Sequence, residues 1–555
     1  MVVNYLRVQP ADPEAGPLDS VALTELKNQL AQRPQDENLT QQIRTLDLQL
    51  RQQFFTRRDM NLRGSYLLLG GLIIFLIGLK SSASLRAKVH LPQTSDYDQT
   101  GETQRLKIAR RWVTIFGLIL VGAILALATM SASVLTRSSP GHVESKAGPP
   151  AQLLTTYPNP DQIAAHWPRF RGPGGRGISA YTNIPESWDG ATGVGILWKT
   201  AVPLPGHNSP IVWGKRVFLS GADEKQRQVY CFDADSGILL WQKDVVVSTG
   251  GGSVALEVSQ DTGYAAPTMT TDGRRVFAIF PNGDLACFDF DGRQVWAKNL
   301  GLPDSAYGFA TSLDMYQNLL LIQFDQGTDD DNKSKLFALD AATGRSVWQK
   351  TRPVANAWTS PIIVNTDQGP QFITCSTPLV ISYDPLTGKE LWRVNCMGSD
   401  VAPSPIYAKG LVFVAQPYEQ LYALRPGSSD GRTEPNIIWT ADDGIPDICS
   451  PVSNGELIFL LTTDGTLTCY ETQTGAKVWQ RDLDAEFRSS PSVVGDKLYL
   501  LSENEDGLTF ILSAAREFRE IARAKLGEPS SCCPAFADGR IYVRGYRNLY
   551  GIGKK

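Results

Sequence analysis

LFALDAATGRSVWQK, residues Leu336–Lys350, is the stretch that decides the fold. A short apolar strand runs into a turn built on Asp340 and Gly344, and a second strand carries Trp348 close to its start. The turn calls for Gly where the backbone needs positive φ. The same arrangement is written four more times: VYCFDADSGILLWQK (Val229–Lys243), LACFDFDGRQVWAK (Leu285–Lys298), VISYDPLTGKELWRV (Val380–Val394) and LTCYETQTGAKVWQR (Leu467–Arg481). The tryptophans are Trp241, Trp296, Trp348, Trp392 and Trp479, with Trp439 in a looser copy. They recur every ~40–55 residues, the period of propeller blades.

A second signature precedes each copy: a small residue and proline ahead of an apolar strand. It stands at Ser209–Pro210, Pro267, Pro361, Pro405, Pro451, Pro491 and Pro534, while the third repeat has Thr311–Ser312 without proline. A turn and an alternating strand follow, as in Gly214–Ser220 and Gly410–Gln416. Each unit therefore holds four strands, which is one blade. The signature marks eight units. The seventh has drifted, with Phe518 read in the tryptophan position. The eighth starts at Cys533–Pro534 and ends at Lys555 before any Trp strand. Ile196–Lys199 carries that strand, with Trp198, at the other end. The expected fold is an all-β eight-bladed propeller over 167–555, closed by its N-terminal strand; closure removes exposed sheet edges. The blade tryptophans, Trp198 included, are read as buried surface between blades, each with an N–H for a neighbouring loop.

These units resemble the PQQ-type propeller repeat, quoted most faithfully by ALDAATGRSVW (Ala338–Trp348). Quinoprotein alcohol dehydrogenases and BamB-type outer-membrane assembly lipoproteins share that repeat, and the resemblance covers about 70% of the chain. WPRFRGPGGRGIS (Trp167–Ser179) is similar to the opening segment of membrane-anchored PQQ-like proteins common in planctomycetes. That resemblance implies an extracytoplasmic propeller behind N-terminal membrane helices.

The residues ahead of the propeller fit this. Ser65–Leu79 and Trp112–Leu135 are uncharged runs flanked by Lys and Arg, the pattern of transmembrane helices. The expected organisation is a helical hairpin or coiled-coil tail (1–63), a first span (64–80), a basic loop (81–111), a second span (112–136) and a flexible linker (137–166). Arg105, Lys107, Arg110 and Arg111 before the second run place its start in the cytoplasm and the propeller in the periplasm. Arg57, Arg58 and Arg63 pull the other way, leaving the side of the tail open. Leu39, Ile43, Leu46, Leu50 and Phe54 form one apolar stripe, suited to homo-oligomerisation, to a partner, or to packing within the tail.

Chemistry is sparse. A formal net charge of −4 gives no general case for nucleic acid. All eight cysteines lie in the repeats without CxxC spacing, and of four histidines only His207 falls there, so no metal site or His-based triad is signalled. The quinoprotein resemblance implies PQQ over the axis, with calcium and a disulfide between adjacent cysteines. Cys532 and Cys533 are adjacent, and open to a vicinal disulfide in an oxidising compartment, but they sit in the last blade rather than an early one. No cofactor and no catalytic residue is expected. Arg171–Gly177 (RGPGGRG) reads as a loop wrapping the rim, and Asp325, Asp329, Asp330, Asp331 and Asn332 as a solvated hairpin tip. The expected binding surface is the channel mouth where the innermost strands begin: His207, Tyr264, Tyr307, Trp358, Asp400, Asp447 and Arg488. The expected function is a protein-interaction scaffold on the inner membrane that binds another envelope protein, BamB-like by resemblance. A PQQ-dependent dehydrogenase and a ligand sensor coupled to the N-terminal helices are the alternatives.

Overall fold

Eight antiparallel sheets make up a computed structural model of the chain. It describes residues 157–554 apart from 248–257, 306, 399, 428–434 and 505. The tail, both apolar runs, the basic loop and the linker up to residue 156 lie outside the described residues. The linker's last residues are structured. Asn159 caps a helical turn, Pro160–Ala164, and Tyr157 packs against the core of blade 3.

Each blade is a four-stranded meander. Blades 1 to 7 run from Ile211–Asp244, Thr270–Asn299, Asp314–Thr351, Ile362–Asn395, Ile406–Ala441, Val452–Asp482 and Ser492–Lys525. Blade 8 takes three strands from Ala535–Ile552 and its outer strand from Ile196–Ala201, with Trp198 opposite Gly551. The closure expected from the orphan Trp strand is thus present. Blade 7 gains a fifth strand, Ile178–Ser179, parallel to its innermost one.

The repeated turn and tryptophan join one blade to the next. The indole N–H of Trp296 donates to the Ala341 carbonyl in the turn of blade 3 (3.0 Å). Trp198, Trp241, Trp348, Trp439 and Trp479 make the same bond to Ala234, Phe290, Pro385, Thr472 and Ala515. The looser copy at Trp439 therefore docks like the rest. Trp392 differs: it donates to Gln371 Oε1 in its own blade, and Gln371 bonds the Gly427 carbonyl of blade 5. Gly is needed in the turn for two reasons. Gly344 sits at φ +68°, and a Cβ there would come within 2.7 Å of the Trp296 ring.

One assignment needs correcting. In blade 6 Trp479 pairs with Cys469 just before a bulge, and the equivalent pair in blade 7 is Ala522 with Ile511. Ala522, not Phe518, holds the tryptophan position. Phe518 lies in the preceding turn, edge-on to Trp479 at 5.5 Å. Trp188 compensates from the N-terminal segment: it is buried in one cluster with Ala524, Leu526 and Phe536, beside the outer strand of blade 7.

Because Trp198 closes the ring, Trp198→Ala is expected to cost ~3–5 kcal/mol, the loss typical of deleting a buried indole. Trp198→Phe keeps the ring but loses the N–H to Ala234, at about 1–3 kcal/mol. Chemical denaturation midpoints measure both, and a Phe518→Ala loss as large as that of Trp198→Ala would contradict the assignment.

Candidate functional site

The small residues ahead of the innermost strands form a hydrogen-bonded ring around the axis. The Ser209 N–H donates to Thr268 Oγ1, Thr268 to Ser312 Oγ, Ser312 to Ser360, Ser360 to Ser404, Ser404 to Ser450, and Ser450 to Ser490, at 2.9–3.1 Å. The Cys533 N–H returns to Ser209 Oγ at 3.0 Å. The backbone amide of one blade is thus satisfied by a side chain of the next. All members are buried, where an unpaired N–H costs about 1–3 kcal/mol. The ring also corrects the register of blade 2. Thr268 is the counterpart of Ser209, so Met269 holds the place that proline takes elsewhere and Pro267 stands two residues ahead of it.

Below the ring the glycine-rich segment crosses the channel instead of wrapping the rim. Trp167 bridges Val212 in blade 1, and the Pro168 carbonyl accepts from Thr271 in blade 2. Arg169 pairs with Asp314 of blade 3 and donates to the Pro361 carbonyl of blade 4 (2.7 Å). Arg171 donates to the carbonyls of Pro451 in blade 6 (2.6 Å) and Pro491 in blade 7 (3.4 Å). Blades 2 and 6 stand opposite one another, as do 3 and 7, so these few residues span the axis. Burial pushes the Asp314 carboxyl up, to about 6, against the pull of Arg169.

The mouth above the ring is bridged too. Val258–Gly263, in the connection from blade 1 to blade 2, lies against Tyr307 and Gly308 of blade 3, with the Ser259 N–H donating to the Tyr307 carbonyl. On the opposite side Asp261 pairs with Arg488 of blade 7 (2.8 Å), which also holds Glu503 (2.6 Å).

The expected mouth residues fall into separate groups. His207 and Arg488 share one network: His207 Nδ1 lies 2.8 Å from Ser531 Oγ, its ring is edge-on to Tyr546, and the Tyr546 hydroxyl bonds Glu503. Burial, then Arg544, hold His207 below the ordinary imidazole value, so the ring is neutral at pH 7. Tyr307 and Trp358 form an aromatic pair at 4.9 Å, with the Trp358 N–H on the Gly308 carbonyl (2.9 Å). Asp447 accepts from Thr463 Oγ1 (2.7 Å) and from the Tyr418 hydroxyl (3.0 Å). Tyr264 is half-buried against the core of blades 1 and 2, and Asp400 is exposed before blade 5.

Asp325 does not belong to the acidic hairpin tip. It is fully buried, bonded to Gln323 Nε2 (2.7 Å), Ser376 and Arg352 (3.2 Å), whereas Asp329, Asp330 and Asp331 are exposed. Cys532 and Cys533 are separate buried thiols rather than a disulfide, and Cys533 occupies a place in the ring. Among the described residues no three of His, Cys, Asp and Glu come together as a metal set. Sequence reasoning missed Asp261, Glu503, Tyr418, Tyr546 and Ser531. Their hairpins and connections carry no repeated signature; exposed tyrosines at hairpin tips were the available signal.

Comparison with known proteins agrees with this architecture. The family model described as outer membrane protein assembly factor BamB matches residues 186–313, 332–447 and 432–517, more than half of the chain. The curated BamB of Salmonella typhimurium is 22% identical over 230 residues, 39% of this chain; the match spans 55%, about half, of that relative's length. Among solved structures, the quinohemoprotein alcohol dehydrogenase of Comamonas testosteroni aligns at a TM-score of 0.52 and 14% identity, covering 71% of this chain and 81% of that one. BamB of Moraxella catarrhalis aligns at 0.48 and 14%, covering 64% and 99%. At such identity these structural likenesses concern the fold alone.

The raised Asp314 carboxyl sets a pH dependence. The folded state holds this proton more tightly than the unfolded chain, so ionised Asp314 costs stability above about pH 6, and the cost vanishes as the pH falls below about 4. Relative to Asp314→Asn, the wild type is expected to gain about 3 kcal/mol between pH 7 and pH 4. Unfolding free energies of the two proteins across that range test it; a pH-independent difference would contradict it.

Proposed function

The chain belongs to the family of the outer membrane protein assembly factor BamB, and from that premise we propose that its propeller is a protein-docking scaffold of the cell envelope, with no reaction of its own. The observation that carries this reading is the make-up of the face where the innermost strands begin. Tyr307, Tyr418 and Tyr546 are 48%, 79% and 47% exposed there, beside Trp358 and Arg488. Antiparallel topology puts them on one side, since Tyr307 and Trp358 lie on connections between blades and Tyr418 and Tyr546 on hairpins between second and third strands. Tyr, Trp and Arg are the residue types that dominate binding energy at protein interfaces. The partner we propose is another envelope protein.

The two uncharged runs at 65–79 and 112–135 would anchor the chain in the inner membrane, with the propeller on the extracytoplasmic side. A quinoprotein reading fits the residues poorly. Val258–Gly263 occupy the space over the axis, and the adjacent cysteines serve the strand start of blade 8.

The test is co-purification of the full chain with envelope proteins. Trp358→Ala combined with Arg488→Ala is expected to lower partner recovery at least tenfold, as loss of one interface anchor worth more than ~1.4 kcal/mol requires. Undiminished recovery would reject this face. Dye-linked alcohol oxidation by the chain supplied with PQQ and calcium would reject the scaffold reading itself.

A further inference from the structure

Four arginines of the described residues are buried to 5% exposure or less: Arg169, Arg171, Arg352 and Arg544. A guanidinium stays charged in any protein interior, so each needs counter-charge or a full set of acceptors. Arg169 has Asp314, and Arg352 has Asp325. Arg544 spreads its two terminal nitrogens over two carbonyls, Ser220 (2.6 Å) and Leu204 (3.1 Å), leaving only Nε unpaired. Arg171 is different. Both of its carbonyl partners, Pro451 and Pro491, crowd onto the single nitrogen Nη2, and Nε and Nη1 have no acceptor.

Among the described residues no carboxylate offsets Arg171. The groups that interact with it electrostatically are two thiols, Cys449 and Cys533, from blades 6 and 8. Burial pushes the Cys449 thiol well up, so it is a neutral neighbour at pH 7. The backbone cannot turn away, because Arg171 itself sits at φ +59° and its carbonyl accepts from the Gly177 N–H at 2.8 Å. The plug thus fixes a cation with unpaired donors between the innermost strands of blades 6 and 7. A water would take up N–H groups but would leave the charge uncompensated.

We infer that the channel binds one small inorganic anion of halide size against Nε and Nη1 of Arg171. The anion would give the second arginine of the plug the counter-charge that Asp314 gives the first, Arg169. Its binding couples to stability by mass action, because the unfolded chain has no such site.

Bromide is the probe. Crystals of the full chain soaked in sodium bromide are expected to give an anomalous peak within hydrogen-bond reach of Arg171 Nε or Nη1. In solution at constant ionic strength, replacing gluconate by bromide is expected to raise the melting temperature with the logarithm of bromide concentration. Arg171→Met is expected to lose that dependence while Arg544→Met retains it. The proposal is overturned if bromide appears only at exposed Lys or Arg side chains, or if Arg171→Met responds to bromide as the wild type does. Should Arg171→Met fail to fold, the wild-type anomalous map decides alone. Absence of any bromide peak at Arg171 likewise overturns the proposal.

Discussion

Seven of the eight blades begin by giving a backbone N–H to a hydroxyl on the next, and that ring is the constraint the rest of the propeller obeys. Where eight innermost strands converge, their first amides face one another and cannot reach water. Only a short side chain with an acceptor fits between neighbouring strands, which is why Ser or Thr recurs at seven of the places and Cys at the eighth. Larger polar residues would fill the bore, and Ala would leave an amide unpaired. The ring fixes spacing near the axis, while the tryptophan-to-turn contacts fix it at the periphery. Where both contacts are made, as between blades 2 and 3, neighbouring blades are held at two radii, so rotation of one against the next breaks bonds at both.

Closure of the channel follows from the same crowding. Arg169 and Arg171 cross the axis below the ring and bond opposite blades, and Val258–Gly263 cross it above, between blade 3 and blade 7. A propeller open at both ends presents a bore to ligands; one bridged at both ends presents its faces. Chemistry that needs a cofactor seated over the axis would have to displace a segment tied to two opposite blades. Recognition by exposed side chains at the rim needs no such rearrangement.

The sequence told strand from turn wherever the partner lies close along the chain. The turn aspartate and the tryptophan of one unit lie close along the chain, as Asp340 and Trp348 do, and their repetition makes both the blade count and the closing role of Trp198 legible. The errors arise where the deciding contact is remote or where one residue shifts the register. Pro267 matched a composition pattern but not a position, because the bonds that define the position run to Ser209 and Ser312, each more than forty residues away. Phe518 has the aromatic type of a tryptophan substitute but not its register; the bulge between Ile511 and Leu512 gives that place to Ala522. Asp325 shares its run of sequence with exposed acidic residues, but Arg352 and Ser376, both remote along the chain, enclose it. At the mouth, strand starts gave the right face but not the grouping, since Asp261 and Arg488 are 227 residues apart.

Repetition separates structural from functional residues more sharply than burial does. A residue that recurs at one place in most blades answers a demand every blade shares, and the ring serines, turn glycines and docking tryptophans are all of that kind. Arg171, Arg488, Asp261, Trp358 and Tyr418 have no counterparts around the ring, so symmetry cannot explain them. Each of them either ties blades together or stands at the rim. Tyr418 makes the point: a bulky side chain sits at φ +62°, where glycine would be unstrained, and is 79% exposed with its hydroxyl on Asp447. No packing of the blade requires a tyrosine there. Such departures from the repeat occur both at the mouth and in the plug, and they mark where this propeller has been specialised beyond its fold.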